Sequence, residues 1–147
     1  MSQPISVEQT FPETIVTEYL HIAQERIDSF AAVTEDGQWI HTDPARAAAE
    51  SPFQATVAHG FLTLALLPRL LRGHLEDRGC RARVNYGFNR VRFLSPVRVN
   101  SRIRARIRLL RSIELKNGVE RTWDVTVECE NARLPACVAE WVVRYYS

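Results

Sequence analysis

His59-Gly60-Phe61-Leu62-Thr63-Leu64-Ala65-Leu66-Leu67-Pro68-Arg69-Leu70-Leu71-Arg72-Gly73-His74-Leu75 is the stretch around which the rest of the chain is organised. Over its first two turns Phe61, Leu62, Leu64, Leu66 and Leu67 leave no side of a helix polar, and a helix that is apolar all round is buried. Arg69 and Arg72 interrupt it well short of the roughly 20 apolar residues that span a bilayer. Pro68 removes one helical hydrogen bond and predicts a kink or break near Leu67, and Gly73 is the expected stop. Something must wrap this helix, and the sequence that follows it supplies strands.

After Gly79 the pattern changes period. Residues 82–93 place Val84, Tyr86 and Phe88 in alternation, and residues 102–109 alternate arginine with Ile103, Ala105, Ile107 and Leu109, the mark of a half-buried strand. Asn117-Gly118 is a hairpin dipeptide. Trp123, Val125, Val127 and Cys129 alternate with polar neighbours, Leu134-Pro135 turns the chain, and residues 136–146 form a last strand. Before the apolar run, residues 1–11 read as a loose arm and 13–20 as a strand. Residues 24–35 read as a helix with Ile27, Phe30, Ala31 and Thr34 on one face. That helix lacks a capping residue at its start, and Gly37 is expected to end it in the left-handed conformation. Asp43-Pro44 caps a short helix at 45–50, which Ser51-Pro52 stops, and 53–58 is a linker. The sum is one α+β domain over 1–147: an antiparallel meander of about five strands wrapped around one central buried helix.

A chain of 147 residues buries about 70% of its unfolded surface, enough for a core without staples. A net charge of +2 does not point to nucleic acid. Cys80, Cys129 and Cys137 are odd in number and scattered, which fits reduced thiols in a cytoplasm. The start has no basic region followed by an apolar one, so neither a secretory signal nor a membrane segment is expected. Arg102, Arg104, Arg106 and Arg108 invite a phosphate-binding reading. Glu120, Asp124, Glu128 and Glu130 on the following strand are the better-matched partners, since opposite charges commonly face each other across a wet sheet face.

Four pieces of sequence carry a family resemblance: Asp36-x-Gln-Trp-Ile-His41-x-Asp-Pro, Ala58-His59-Gly60-Phe61-Leu62-Thr63, Asn85-Tyr86-Gly87 and Arg92-Phe93-x-x-Pro96-Val97. In this order, over roughly residues 24–146, the chain resembles the MaoC-type hydratases of the hot-dog fold, and within them the NodN-like branch. The resemblance implies (R)-specific hydration of trans-2-enoyl thioesters, or the reverse dehydration of 3-hydroxyacyl thioesters, with Asp36 and His41 as the catalytic pair. It also implies an acyl group carried on coenzyme A or an acyl carrier protein, and a homodimer with two sheets joined edge to edge. Glu35, Gln38 and Trp39 stand where the commoner motif has Gly, Asn and Pro, and Asn100-Ser101 replaces a Gly-Asp. These departures bear on substrate range more than on reaction type.

The residues themselves support such chemistry. Asp36 and His41 would point about 140° apart on one continuous helix, so a break between them is required, and Gly37 is the expected break. Adding water to an enoyl thioester needs a base for the water, a proton donor to the α-carbon and donors for the enolate oxygen. An imidazole exchanges protons near neutrality, and a nearby carboxylate can orient the same water and return a proton. Gly60 opens the apolar helix, where backbone N–H groups lack partners, and is the oxyanion candidate; tight packing explains a glycine there equally well. Gln38, Trp39 and His59 are the substrate-binding candidates. Trp39 fits core filling too, and His59 also reads as a helix-start histidine bonded to a neighbouring loop. No metal-ligand cluster stands out and no cofactor is required, coenzyme A entering only as part of the substrate. Two other readings stay open: an acyl-CoA thioesterase, which usually wants a carboxylate absent from 59–71, and a non-catalytic acyl-thioester binding subunit.

Overall fold

The computed structural model describes residues 5–75 and 79–147. Its first half holds two short strands, β1 (Ile15–Val16) and β2 (Leu20–His21), and five helices. These are α1 (Gln24–Thr34), α2 (Trp39–Thr42), α3 (Pro44–Glu50), α4 (Gly60–Ala65) and α5 (Leu67–Leu70). Four long strands follow: β3 (Ala82–Phe93), β4 (Arg102–Leu115), β5 (Gly118–Cys129) and β6 (Cys137–Tyr146). All pair antiparallel in one sheet of order β1-β4-β5-β6-β3, with β2 also on β4. The sheet therefore has six strands rather than about five, because the strand expected at 13–20 is split. Thr17 sits between its two halves, and the Ala105 N–H donates to the Thr17 hydroxyl at 2.9 Å, so a side chain stands in for one backbone partner.

Alternation in the sequence becomes two chemically distinct faces. Ile103, Ala105 and Ile107 of β4, Trp123, Val125 and Val127 of β5, and Ala139, Trp141 and Val143 of β6 form the inner face, all buried. Leu62, Leu66, Leu67, Leu70, Leu71 and Leu75 fill the hollow of that face in the same apolar cluster. The break predicted at Pro68 falls between α4 and α5, with Pro68 in the first turn of α5. On the outer face Arg104 meets Glu128 at 2.7 Å, Arg106 meets Glu128 at 3.1 Å and Arg108 meets Asp124 at 3.4 Å; Arg102 pairs with Glu130. Glu120 pairs with Arg144 of β6 at 2.8 Å, not with the β4 arginines. The arginine face is closed by its own carboxylates. Exposed pairs of this kind add little stability individually.

Two expectations need correction. The strands are not one continuous meander: β3 crosses to the far edge and pairs with β6, with bulges near Tyr86 and Asn89. Nor is the central helix buried on every side. Phe61 is 69% exposed, and Ala65 and Arg69 continue that exposed stripe at four-residue spacing. The cause is the position of the sheet's edge. Phe61 lies against Phe93 at the end of β3, ring centroids 6.2 Å apart, and among the described residues no further strand pairs beyond β3 on that side.

The β4–β5 hairpin turns through Lys116 and Asn117, with Leu115 opposite Gly118. Gly118 has a φ of 155°, and a Cβ there would lie 1.9 Å from the carbonyl oxygen of Tyr145. Backbone of this kind accommodates essentially only glycine and costs other residues about 1–3 kcal/mol. Gly118→Ala is expected to lower the melting temperature by several degrees or more, read by thermal denaturation; an unchanged transition would contradict the fold described.

Candidate active site

The site is built where two segments lace together. Leaving α1, the chain takes its left-handed residue at Glu35, with φ 59° and ψ 21°. It then runs through Asp36 and Gly37 to Gln38, and re-enters a helix at Trp39. Gly37 is therefore not the bend that was expected: it is not among the positive-φ residues, and a Cβ on it would meet nothing within 4 Å. The reversal comes from Glu35, and the one-turn helix α2 aims His41 inward. The opposing segment is 57–59, which leads into α4. The Val57 N–H donates to the Ile40 carbonyl at 3.0 Å. His41 Nδ1–H donates to the Val57 carbonyl at 2.6 Å, and His59 Nε2–H donates to the Asp36 carbonyl at 2.9 Å. Gln24 of α1 braces the outside, donating to the His41 carbonyl at 2.7 Å and accepting from the Thr56 hydroxyl at 2.5 Å.

These bonds bring three functional groups together. One oxygen of Asp36 and one ring nitrogen each of His41 and His59 lie within 4.8 Å of one another. The two imidazoles stack, centroids 3.8 Å apart and planes 23° apart. His41 is 8% exposed and His59 3% exposed, whereas the Asp36 side chain is 55% exposed. Because His41 spends its Nδ1 proton on Val57, its Nε2 carries the free lone pair, the arrangement a general base requires. Burial pushes the His41 imidazole below its ordinary value, against the Val57 hydrogen bond; neighbouring His59 pushes the same way and the Asp36 carboxylate opposes. As metal ligands the three groups are poorly arranged. Lone pairs lie in the ring planes, so two stacked imidazoles direct them side by side rather than at one ion, which tetrahedral coordination demands.

Gly60 follows His59 directly. The N–H groups of Leu62 and Thr63 both donate to the His59 carbonyl, at 3.0 and 3.3 Å, leaving Gly60 and Phe61 as first-turn amides without helical acceptors. Gly60 also answers the packing reading, since a Cβ there would lie 3.0 Å from the Phe93 ring tip. A cavity of about 330 Å³ runs along this turn, lined by Gly60, Thr63, Phe53, Phe93, Pro96 and Ala136 among others. That volume lies at the lower end of small-molecule sites. Gln38 and Trp39 do not line it: Gln38 is exposed, and Trp39 packs beneath the Arg46 guanidinium at 4.4 Å. Phe93 and Thr63, which do line it, were not singled out as substrate contacts by sequence pattern; their signal was the apolar run and the Arg-Phe-x-x-Pro-Val turn that cross at Gly60.

A family model for the MaoC like domain matches residues 6–131. The chain belongs to the MaoC-like family. This MaoC-like protein is 51% identical over 130 residues to 3-hydroxyacyl-thioester dehydratase Z of Mycobacterium tuberculosis, covering 88% of this chain and 85% of that one. It is 46% identical over 129 residues to Nodulation protein N of Rhizobium meliloti, covering 86% and 80%. Among solved structures it is similar to the R-hydratase PhaJ1 of Pseudomonas aeruginosa, with a TM-score of 0.73, 24% identity and coverage of 95% and 84%. That likeness shows the hot-dog fold. No helix among the described residues of this MaoC-like chain is long and apolar enough to cross a membrane.

Because Gly37 is neither strained nor crowded, Gly37→Ala is expected to shift the melting temperature by no more than about 3 °C and to leave the catalytic rate within about twofold of wild type, in line with surface substitutions generally. A collapse of activity in that variant, measured beside thermal denaturation, would restore Gly37 as the bend.

Proposed function

We propose that the chain catalyses the reversible addition of water to trans-2-enoyl thioesters, giving (R)-3-hydroxyacyl thioesters. The observation that supports this is the convergence of the Asp36 carboxylate with the imidazoles of His41 and His59, the residue that precedes α4, with the His41 Nδ1 proton engaged by the Val57 carbonyl. The 51% identity to a protein named as a 3-hydroxyacyl-thioester dehydratase supports the same reaction class. The thioester oxygen accepts from the Gly60 N–H, a preorganised donor for the charge that develops as the enolate forms. A water held between His41 Nε2 and Asp36 adds its oxygen to C3. The proton it releases passes through the Asp36–His41 pair to C2, so the elements of water are added with no redox change and no cofactor beyond the coenzyme A or carrier-protein arm of the substrate. The acyl-thioester segment occupies the cavity beside Gly60 and Phe93.

The working unit in this proposal is a homodimer joined through β3. That strand is an open edge on which Val84, Tyr86, Phe88 and Phe93 are exposed, with Leu94 just beyond its end, and long exposed apolar edges invite pairing with another chain. Tyr86 already holds the Arg144 guanidinium 3.5 Å from its ring, so the surface is ordered before association. Cys129 and Cys137 are free thiols, in keeping with a reducing compartment such as the cytoplasm.

Asp36→Asn and His41→Gln are each expected to lower the hydration rate of crotonyl- or longer enoyl-CoA by at least about a hundredfold, followed by loss of enoyl absorbance, with an unchanged circular dichroism spectrum. Chiral analysis of the product should find the (R)-alcohol. Full activity in either variant, or only the (S)-alcohol, would overturn the proposal. With His41 acting as the base, its lowered pKa sets the pH response. The base is active deprotonated, so the acid limb of kcat/KM should fall below the ordinary imidazole range near 6.5. A limb above that range would contradict the role given to His41.

A further inference from the structure

The reaction as proposed uses Asp36, His41 and the Gly60 amide, and leaves His59 without a task. Its ring is buried between Phe30, at 5.0 Å, and His41, at 3.8 Å. Nε2–H reaches across 23 positions of sequence to the backbone carbonyl of Asp36, while Nδ1 has no hydrogen-bond partner among the described residues. The recipient of that bond matters. Asp36 lies between the left-handed cap of α1 and the start of α2, in a stretch with no helical or strand assignment. His41, on the other side, is flanked by the His59 ring face. A phenylalanine would fill the same slot against His41 but has no donor, and a glutamine has a donor but no ring.

We propose that His59 is a positioning residue: through one hydrogen bond to the Asp36 carbonyl and one ring stack on His41, it sets the carboxylate and the base against the same substrate. This rests on the hydratase reading above. His59 need not touch the substrate for this role. Its effect falls on the geometry of the reacting groups, where a displacement of about 1 Å can cost a hundredfold in rate.

The test compares His59→Phe with His59→Gln in steady-state hydration of crotonyl-CoA by the full chain, with melting temperatures measured alongside. His59→Phe is expected to lower kcat about a hundredfold, with KM within about twofold of wild type. His59→Gln, which restores a donor for the Asp36 carbonyl, is expected to recover at least about tenfold of that loss. A kcat for His59→Phe within about threefold of wild type would overturn the proposal. So would a change confined to KM, which would make His59 a substrate contact, or a His59→Gln enzyme as slow as His59→Phe. Should His59→Phe fail to fold, His59→Gln decides alone: a kcat about threefold to tenfold below wild type with KM unchanged supports the role, and a kcat within about threefold of wild type, a larger loss, or a change confined to KM refutes it. Absence of hydration by the wild-type protein would instead remove the reading on which this one rests.

Discussion

A buried histidine immediately ahead of the central helix is the constraint on which the site depends. His59 ends the linker into α4 and is almost wholly enclosed, so its polar ring must find partners inside the protein or leave costly unmet groups. The Asp36 carbonyl meets that need at Nε2, the one ring nitrogen of His59 with a hydrogen-bond partner among the described residues. His41 is under the same pressure and is met by the Val57 carbonyl. Each imidazole thus spends a proton on the other segment's backbone, and the two segments are laced together by the chemistry of the groups they present. The convergence of Asp36 and His41 follows from this lacing.

The sheet supplies the enclosure. Its inner face is apolar because 103–107 of β4, 123–127 of β5 and 139–143 of β6 place an apolar side chain at every second position, and the helix with its broken second half fits against that face. Its outer face neutralises itself: Arg104 and Arg106 share Glu128, whose carboxyl is held below the usual carboxylate range chiefly by the Arg104 hydrogen bond. The β3 edge and the exposed stripe that begins at Phe61 meet at Phe93. The same phenylalanine closes over Gly60, so the open side of the sheet and the start of α4 share one residue.

Much of this was legible in the residues. The strand at 82–93 matches β3, the arginine alternation lies within β4, Asp43 caps α3 through the Arg46 N–H at 3.0 Å, and the proline break falls beside Leu67. These features are local, set by period and by capping chemistry, and period is what sequence displays. The errors concern what period cannot show. Glu35 rather than Gly37 takes the left-handed turn, and a residue's conformational freedom does not by itself fix where the chain bends. β3 pairs with β6 rather than following into a meander, a matter of long-range register. Phe61 is exposed because burial of a helix depends on where the sheet ends. The stack of His41 on His59 was equally invisible, since nothing in their spacing of 18 positions forces two imidazoles face to face. His59 does stand at a helix start with its ring bonded to the neighbouring loop.

The lacing of 36–41 against 57–59 can be read directly from the protons it fixes. A long-range ¹H–¹⁵N correlation spectrum of the imidazoles, recorded above the pH at which His41 titrates, distinguishes the two neutral tautomers of each ring. The account requires opposite tautomers in the stacked pair: the proton on Nδ1 in His41, leaving Nε2 as the base, and on Nε2 in His59. A His41 ring protonated on Nε2 would contradict it, because the nitrogen assigned to activate water would then have no lone pair to do so.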